Sequence, residues 1–84
     1  MLPHPIEWQE AARLEIRAVD RPTAMQIFEG VLHYARTGTG AVSPLHGRLA
    51  GSYRLRIADY RVLFKLESNV MRIFGVRHRS EAYR

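Results

Sequence analysis

The sequence contains no cysteine, only one lysine and no long apolar segment. The absence of cysteine excludes a disulfide framework and a thiolate metal site, and favours a reducing compartment. No apolar run approaches the roughly 18 residues that a membrane-spanning helix requires. The first ten residues, MLPHPIEWQE, contain prolines and acids where a signal peptide has a basic start and an apolar stretch. We therefore expect a cytoplasmic protein with no membrane partner.

Positive charge is concentrated in the second half of the chain. The 84 residues suffice for one small domain, 1–84. Residues 1–47 carry four basic and five acidic side chains, whereas residues 48–84 carry nine basic and three acidic ones. Twelve of the thirteen basic residues are arginines, whose planar fork binds phosphate in a bidentate manner. This bias favours a polyanionic partner, nucleic acid first; the alternative is a genome that encodes arginine often.

The first half of the chain has helical spacing. In the segment 22–36, PTAMQIFEGVLHYAR, apolar residues recur at the i, i+3, i+4 and i+7 positions of one helix face. Asp20 or Thr23 is a candidate N-cap, and Gly38 and Gly40 are candidates to end the helix. A weaker pattern predicts an earlier helix over about 9–19.

The second half of the chain alternates as strands do. The segment 37–51 is a long glycine-bearing connection, which either is functional or contains a short strand. Alternation then predicts three strands, at about 52–57, 60–67 and 70–77. Ser68 and Asn69 suit a tight turn between the last two. The predicted class is α+β, with an N-terminal helical hairpin packed on a small antiparallel β-sheet.

Alternation also predicts which arginines share a sheet face. Arg54 and Arg56 must point to one face, and Arg61 lies on the polar face of the next strand. The same rule places Arg77 with Met71 and Ile73. If helices cover the apolar face, several arginines converge on the other, within reach of an RNA backbone. The alternative is an ordinary solvated face.

The tail VRHRSEAYR adds further chemistry. Arg77, His78, Arg79 and Tyr83 provide phosphate-binding forks, a group that titrates near neutrality and an aromatic hydroxyl. Such groups suit RNA cleavage by attack of a 2′-OH on the adjacent phosphate. A surface histidine and a packing tyrosine are the alternatives. The four histidines are too scattered for a metal motif, so we expect neither a metal nor a cofactor.

Two segments together resemble the RelE/ParE superfamily of type II toxins. They are LHGRLAGSYRLRIADYRVLF (45–64) and VRHRSEAYR (76–84). The helical hairpin before a basic meander fits as well, so the resemblance covers nearly the whole chain. It implies a RelE-like β-α-α-β-β-β domain and a cognate antitoxin partner. It also implies a first strand, for which only the proline-broken LPHPIEW is available.

The resemblance implies one of two activities. RelE-like members enter the ribosomal A site and cut mRNA without metal, whereas ParE-like members inhibit DNA gyrase and lack the cleavage residues. The positions of the RelE-like pattern are occupied here by Arg54, Arg56, Arg61, Arg77 and Tyr83. A ribosome-dependent endoribonuclease is therefore the first hypothesis. A gyrase inhibitor is the second, and an inactive member that binds only RNA or its antitoxin is the third.

One departure from the family pattern changes the expected roles. The best-known nucleases of the family carry lysines at the positions of Arg54 and Arg56, and one of these lysines is credited as general base. Arginine is effectively always protonated and makes a poor base. We therefore expect Arg54, Arg56, Arg61 and Arg79 to hold phosphate. Arg77 would clamp the scissile phosphate, and His78, Tyr83 or a ribosomal group would act as the base; the predicted catalytic set is Arg77, Tyr83, His78 and Arg61.

Overall fold

The long helix of the chain begins and ends where the sequence predicts. The structure, a computed structural model, describes residues 1–81, so Tyr83 lies outside the described residues. Helix α1 spans Glu10–Arg17 and helix α2 spans Arg21–Thr37. The Asp20 carboxylate caps α2 by accepting hydrogen bonds from the backbone N (3.2 Å) and hydroxyl (2.8 Å) of Thr23. Gly38 ends α2 in the left-handed conformation, with φ of 73°.

The strands form one five-stranded sheet in the order β1-β5-β4-β3-β2. Their bounds are Ile6–Trp8 (β1), Val42–Pro44 (β2), Tyr53–Ile57 (β3), Tyr60–Glu67 (β4) and Val70–His78 (β5). The α+β class and the RelE-like order β-α-α-β-β-β are confirmed, with β2 as one further short strand. Neighbours from β2 to β5 are antiparallel, as expected, but β1 adds a parallel pair with β5 and makes the sheet mixed. Ser68 and Asn69 both have positive φ, which fits the predicted tight turn between β4 and β5.

The connection after α2 contains the short strand that was one of its two predicted alternatives. Strand β2 pairs with β3, from Val42 opposite Leu55 to Pro44 opposite Tyr53. A 3₁₀ turn over Gly47–Leu49 follows it. The segment is therefore tied to the sheet edge.

Both helices pack on one face of the sheet. Ala12 and Ile16 of α1 and Ile27 and Val31 of α2 are buried there. They join a core of sheet residues: Leu55, Val62, Phe64, Met71, Ile73 and Val76. The opposite face of the sheet, which carries the arginines, is thus left to face outward. No helix within residues 1–81 is long and apolar enough to cross a membrane.

An irregularity in β5 corrects one sequence prediction. Phe64 pairs with Ile73, but Leu63 pairs with Gly75, so Phe74 is an extra residue in a β-bulge. The extra residue reverses the alternation of the strand. The prediction that Arg77 shares a face with Met71 and Ile73 is therefore wrong. Those two residues are buried in the core, whereas Arg77 pairs with Arg61 on the outer face.

Candidate nucleic-acid interface

Three arginines lie side by side across three strands of the outer face. Arg56 on β3 pairs with Arg61 on β4, and Arg61 pairs with Arg77 on β5. We call these three residues the arginine row. Like charges directly opposite each other destabilise a sheet, because paired side chains approach within about 5 Å at Cβ. The row therefore opposes folding, and it is a candidate surface for binding an anion.

Arg61, at the centre of the row, is poorly satisfied by the protein. Its Nε is buried, and no group among residues 1–81 accepts a hydrogen bond from it. Burial lowers the pKa of Arg61, and the charges of Arg56, Arg54 and Arg79 lower it further. Arginine nevertheless remains protonated in proteins. A phosphate bound on the outer face beside Arg61 would offset the positive charge of the row, although the buried Nε itself lies out of its reach.

Arg54 extends the basic surface toward β2. It precedes Arg56 by two residues on the same face and pairs with Leu63. Arg54 and Arg56 line a cavity of about 240 Å³ together with residues 40–43. Ser43 is the direct partner of Arg54 on the edge strand. This cavity continues the arginine row along the sheet and suits the backbone of an extended chain.

At the other end of the row, Arg77 is held by an acid. Its Nε donates a hydrogen bond of 2.5 Å to Oε2 of Glu15 on α1, and the two side chains form an ion pair. Oε1 of Glu15 accepts a hydrogen bond of 2.9 Å from the backbone N of Val76. Sequence reasoning missed Glu15. The only signal was its position beside the apolar Ile16 and three residues after Ala12, which predicts a half-buried carboxylate that needs a partner.

A cleft of about 290 Å³ opens between α1 and the ends of β4 and β5. It is lined by Glu15, Ala18, Val19, Tyr60, Val76, Arg77, His78 and Glu81. His78 packs edge-to-face against the ring of Tyr60, with 5.3 Å between ring centroids, and its Nδ1 lies 2.9 Å from Oγ of Ser80. Arg77 and His78 thus border the same cleft, although alternation turns them to opposite faces of the sheet. Tyr60 was not predicted as a site residue.

Arg79 lies just past the end of β5 and is largely exposed. Its backbone N donates a hydrogen bond of 2.7 Å to the carbonyl of Asp59, and its Nε lies 3.9 Å from Oδ1 of the same residue. These contacts keep it close enough to Arg61 to lower the pKa of that residue. The predicted Tyr83 lies outside the described residues. Within residues 1–81, no group of three or more His, Cys, Asp or Glu residues could hold a metal ion.

The sequence and the fold are both similar to those of known toxins. Residues 6–83 match the family model described as the ParE toxin of the type II toxin-antitoxin system parDE. No curated protein sequence matches the chain significantly.

Solved structures match over nearly the whole chain. The RelBE2 toxin–antitoxin complex from Mycobacterium tuberculosis matches with a TM-score of 0.82 and 21% identity, over 92% of this chain and 99% of the other. The archaeal RelE–RelB complex from Pyrococcus horikoshii OT3 matches with a TM-score of 0.75 and 18% identity, over 96% and 100%. The YoeB–YefM complex from Staphylococcus aureus matches with a TM-score of 0.72 and 19% identity, over 89% and 95%. At these identities, the likeness concerns the fold.

Proposed function

The chain belongs to the ParE toxin family of type II toxin–antitoxin systems, within the RelE/ParE superfamily, and we propose that it is a ribosome-dependent endoribonuclease that cuts mRNA in the A site. The observation that carries this proposal is the arginine row. A sheet gains nothing in stability from directly opposed arginines, whereas a phosphodiester backbone is bound by such a set. The four arginines of the RelE-like pattern that lie within the described residues are all on the outer face of β3, β4 and β5.

The proposed reaction needs no group beyond the protein, the RNA and the ribosome. The 2′-OH of one nucleotide attacks the adjacent phosphorus, so that a 2′-O–P bond forms and the bond to the 5′-oxygen of the next nucleotide breaks. One proton leaves the 2′-OH, and another is delivered to the 5′-oxygen. The products are a 2′,3′-cyclic phosphate and a 5′-hydroxyl. Negative charge on the phosphorane peaks between these events, and fixed cations stabilise it.

The residues divide these tasks as follows. Arg54, Arg56 and Arg61 grip the backbone and offset the charge of the phosphorane, and Arg77 clamps the scissile phosphate. None of them is a suitable base. His78, at the cleft beside Arg77, is the candidate base among the described residues, since an imidazole nitrogen can accept a proton, as a guanidinium cannot. Tyr83 or a ribosomal group is the alternative.

We further propose a cognate antitoxin as the protein partner. Met25, Phe28 and Leu32 of α2 are 51%, 43% and 50% exposed and, at i, i+3 and i+7, lie along one side of the helix. An amphipathic antitoxin segment would cover this apolar stripe, and acidic residues would cover the arginine row. The similarity to RelBE2, a toxin–antitoxin complex, and to the two-protein complexes RelE–RelB and YoeB–YefM supports this partner.

Inhibition of DNA gyrase is the second candidate function. The description of the matching family model as ParE toxin favours it. In that case the arginine row would be dispensable for toxicity, and expression would produce DNA breaks with intact transcripts. The filled RelE-like positions favour the nuclease.

The test uses purified toxin, ribosomes paused on a defined mRNA and primer extension. Wild-type protein should cut within the A-site codon, and Arg77→Ala should lower the rate about a hundredfold, as loss of a transition-state donor does. Tyr83→Phe tests the tail in the same assay. Lys65→Gln is the matched control, because it removes one positive charge from the outer face away from the row. Undiminished cutting by both Arg77→Ala and Tyr83→Phe would contradict the proposed site.

A further inference from the structure

Glu15 connects α1 to two consecutive residues of β5. One carboxylate oxygen accepts a hydrogen bond from the backbone N of Val76 at 2.9 Å, and the other accepts one from Nε of Arg77 at 2.5 Å. These partners lie 61 and 62 residues away in the sequence. The Glu15 side chain is 31% exposed and that of Arg77 is 38% exposed. The pair is therefore only partly screened by water, and charge-assisted bonds of this kind are among the stronger ones in proteins.

The neighbouring residue leaves space for this arrangement. A Cβ at Gly75 would lie 3.2 Å from Cδ1 of Leu63, 3.4 Å from Nη2 of Arg77 and 3.5 Å from Oε1 of Glu15. The guanidinium of Arg77 and the carboxylate of Glu15 thus both lie next to Gly75, which has no side chain. The bulge at Phe74 brings this glycine and Arg77 to the outer face. The ion pair therefore depends on the bulge, whereas a Cβ at position 75 would press mainly on Leu63.

A free arginine side chain in the row would not stay in one place. It has many rotamers, and the charges of Arg61 and Arg56 repel it. The carboxylate of Glu15 offsets that repulsion and is itself fixed by the N–H of Val76. The bond engages Nε, one of five guanidinium N–H donors. Glu15 therefore sets the orientation of the donors that remain.

We propose that Glu15 is a positioning residue, which holds the guanidinium of Arg77 at the border between the arginine row and the cleft, oriented to bind the scissile phosphate. The proposal rests on the proposed nuclease function. Glu15 acts through Arg77 and does not touch the RNA. Misplacement of a reacting or clamping group by about 1 Å can lower a rate by as much as a hundredfold, so the effect should be measurable.

The first test is a double-mutant cycle on ribosome-dependent cleavage, measured as single turnovers with excess toxin. Glu15→Ala should lower the maximal rate about tenfold or more without raising the half-saturating toxin concentration. Glu15→Ala in an Arg77→Ala background should change nothing further, because the effect passes through Arg77. Glu15→Gln keeps an acceptor for Val76 and should fall between wild type and Glu15→Ala. Glu29→Ala, which removes an exposed acid of α2, is the matched control and should cut normally.

Two results of this cycle would overturn the proposal. An unchanged maximal rate in Glu15→Ala would mean that Arg77 needs no positioning. An equal loss in the presence and absence of Arg77 would mean that Glu15 acts on its own. Thermal unfolding of each variant, compared with the wild type, separates loss of positioning from loss of fold.

The second test reads the geometry without RNA. In ¹⁵N NMR spectra, the Nε–H of Arg77 should exchange slowly with water in the wild type and rapidly in Glu15→Ala. Equal exchange in both proteins would overturn the positioning of Arg77, whatever the activity. If the wild type cuts no mRNA but the signal depends on Glu15, the nuclease function has failed while the positioning stands.

Discussion

Arg61 lies directly opposite Arg77 in the antiparallel pair of β4 and β5, and the bulge at Phe74 makes this pairing possible. Arg56 faces Arg61 from the other side. Of the arginines in this row, Arg77 is engaged by an acid, Glu15. The sheet thus holds a cluster of positive charge at the expense of its own stability. Residues that lower the stability of the fold in this way are expected at a functional surface.

The arginine row should limit the stability of the free toxin. Arg56→Gln removes the most exposed of its charges and should raise the free energy of unfolding by about 0.2–1 kcal/mol, since it relieves a directly opposed like-charge pair. The same change should weaken binding to single-stranded RNA and flatten its salt dependence. Urea unfolding and fluorescence anisotropy measure the two effects. Lys65→Gln, on the same face outside the row, should not stabilise; a loss of stability in Arg56→Gln would contradict the account.

The apolar stripe on α2 should be needed for the antitoxin and not for cleavage. Leu32→Glu places a charge in the middle of the proposed contact and should weaken antitoxin binding at least about tenfold, the effect of some 1.4 kcal/mol. His33→Glu introduces the same charge at the next exposed position of α2 and serves as the control. Isothermal titration with the cognate antitoxin gives both affinities. Equal affinities would place the antitoxin elsewhere on the toxin.

Gly30 marks the close approach of α2 to the sheet. A Cβ at this position would lie 2.6 Å from Cδ1 and 2.9 Å from Cγ1 of Ile57. Gly30→Ala should therefore lower stability by about 1 kcal/mol, because overpacking outweighs the gain of up to about 1 kcal/mol in helix propensity. In an Ile57→Ala background, Gly30→Ala should lower stability by less than it does in the wild type, because the contacting side chain has been removed. If Gly30→Ala were more stable than the wild type, the helix would pack less closely than described.

The cap of α2 predicts a pH dependence of stability. Hydrogen bonds from the hydroxyl and backbone N of Thr23 lower the pKa of Asp20 below its ordinary value of 3.8. A carboxyl with a lowered pKa in the folded state stabilises the fold above its ordinary pKa, and this contribution is lost as the pH falls through the lowered value. The difference in Tm between wild type and Asp20→Ala should be full at neutral pH and shrink in strong acid. A difference that is constant over this range would show that the charge of Asp20 contributes nothing.

The sequence predicted the secondary-structure elements that are long enough to show a hydrophobic period. The periodicity of α2 predicted that helix almost to the residue, with Asp20 as one of two candidate caps and Gly38 as one of two candidate ends, and alternation predicted β3, β4 and β5. The three-residue strands β1 and β2 are too short to show a period. They form because their backbones pair with the edges of β5 and β3.

The site was less predictable for two physical reasons. A bulge inserts one residue without a clear composition signal, so alternation placed Arg77 on the wrong face. Glu15 meets Arg77 only through the packing of α1 against β5, a contact across 62 residues. By contrast, Arg54, Arg56 and Arg61 lie on two strands joined by a short turn, and their common face followed from alternation alone.

The central claim is that this toxin cuts mRNA on the ribosome, and mapping of mRNA 5′ ends after its induced expression tests that claim most directly. New 5′ ends should appear within translated codons, in frame, in cells that express the wild type and not in cells that express Arg77→Ala. Lys65→Gln should give the wild-type pattern. Growth arrest by the wild type with intact transcripts would contradict the account, and DNA breaks in the same cells would favour gyrase as the target.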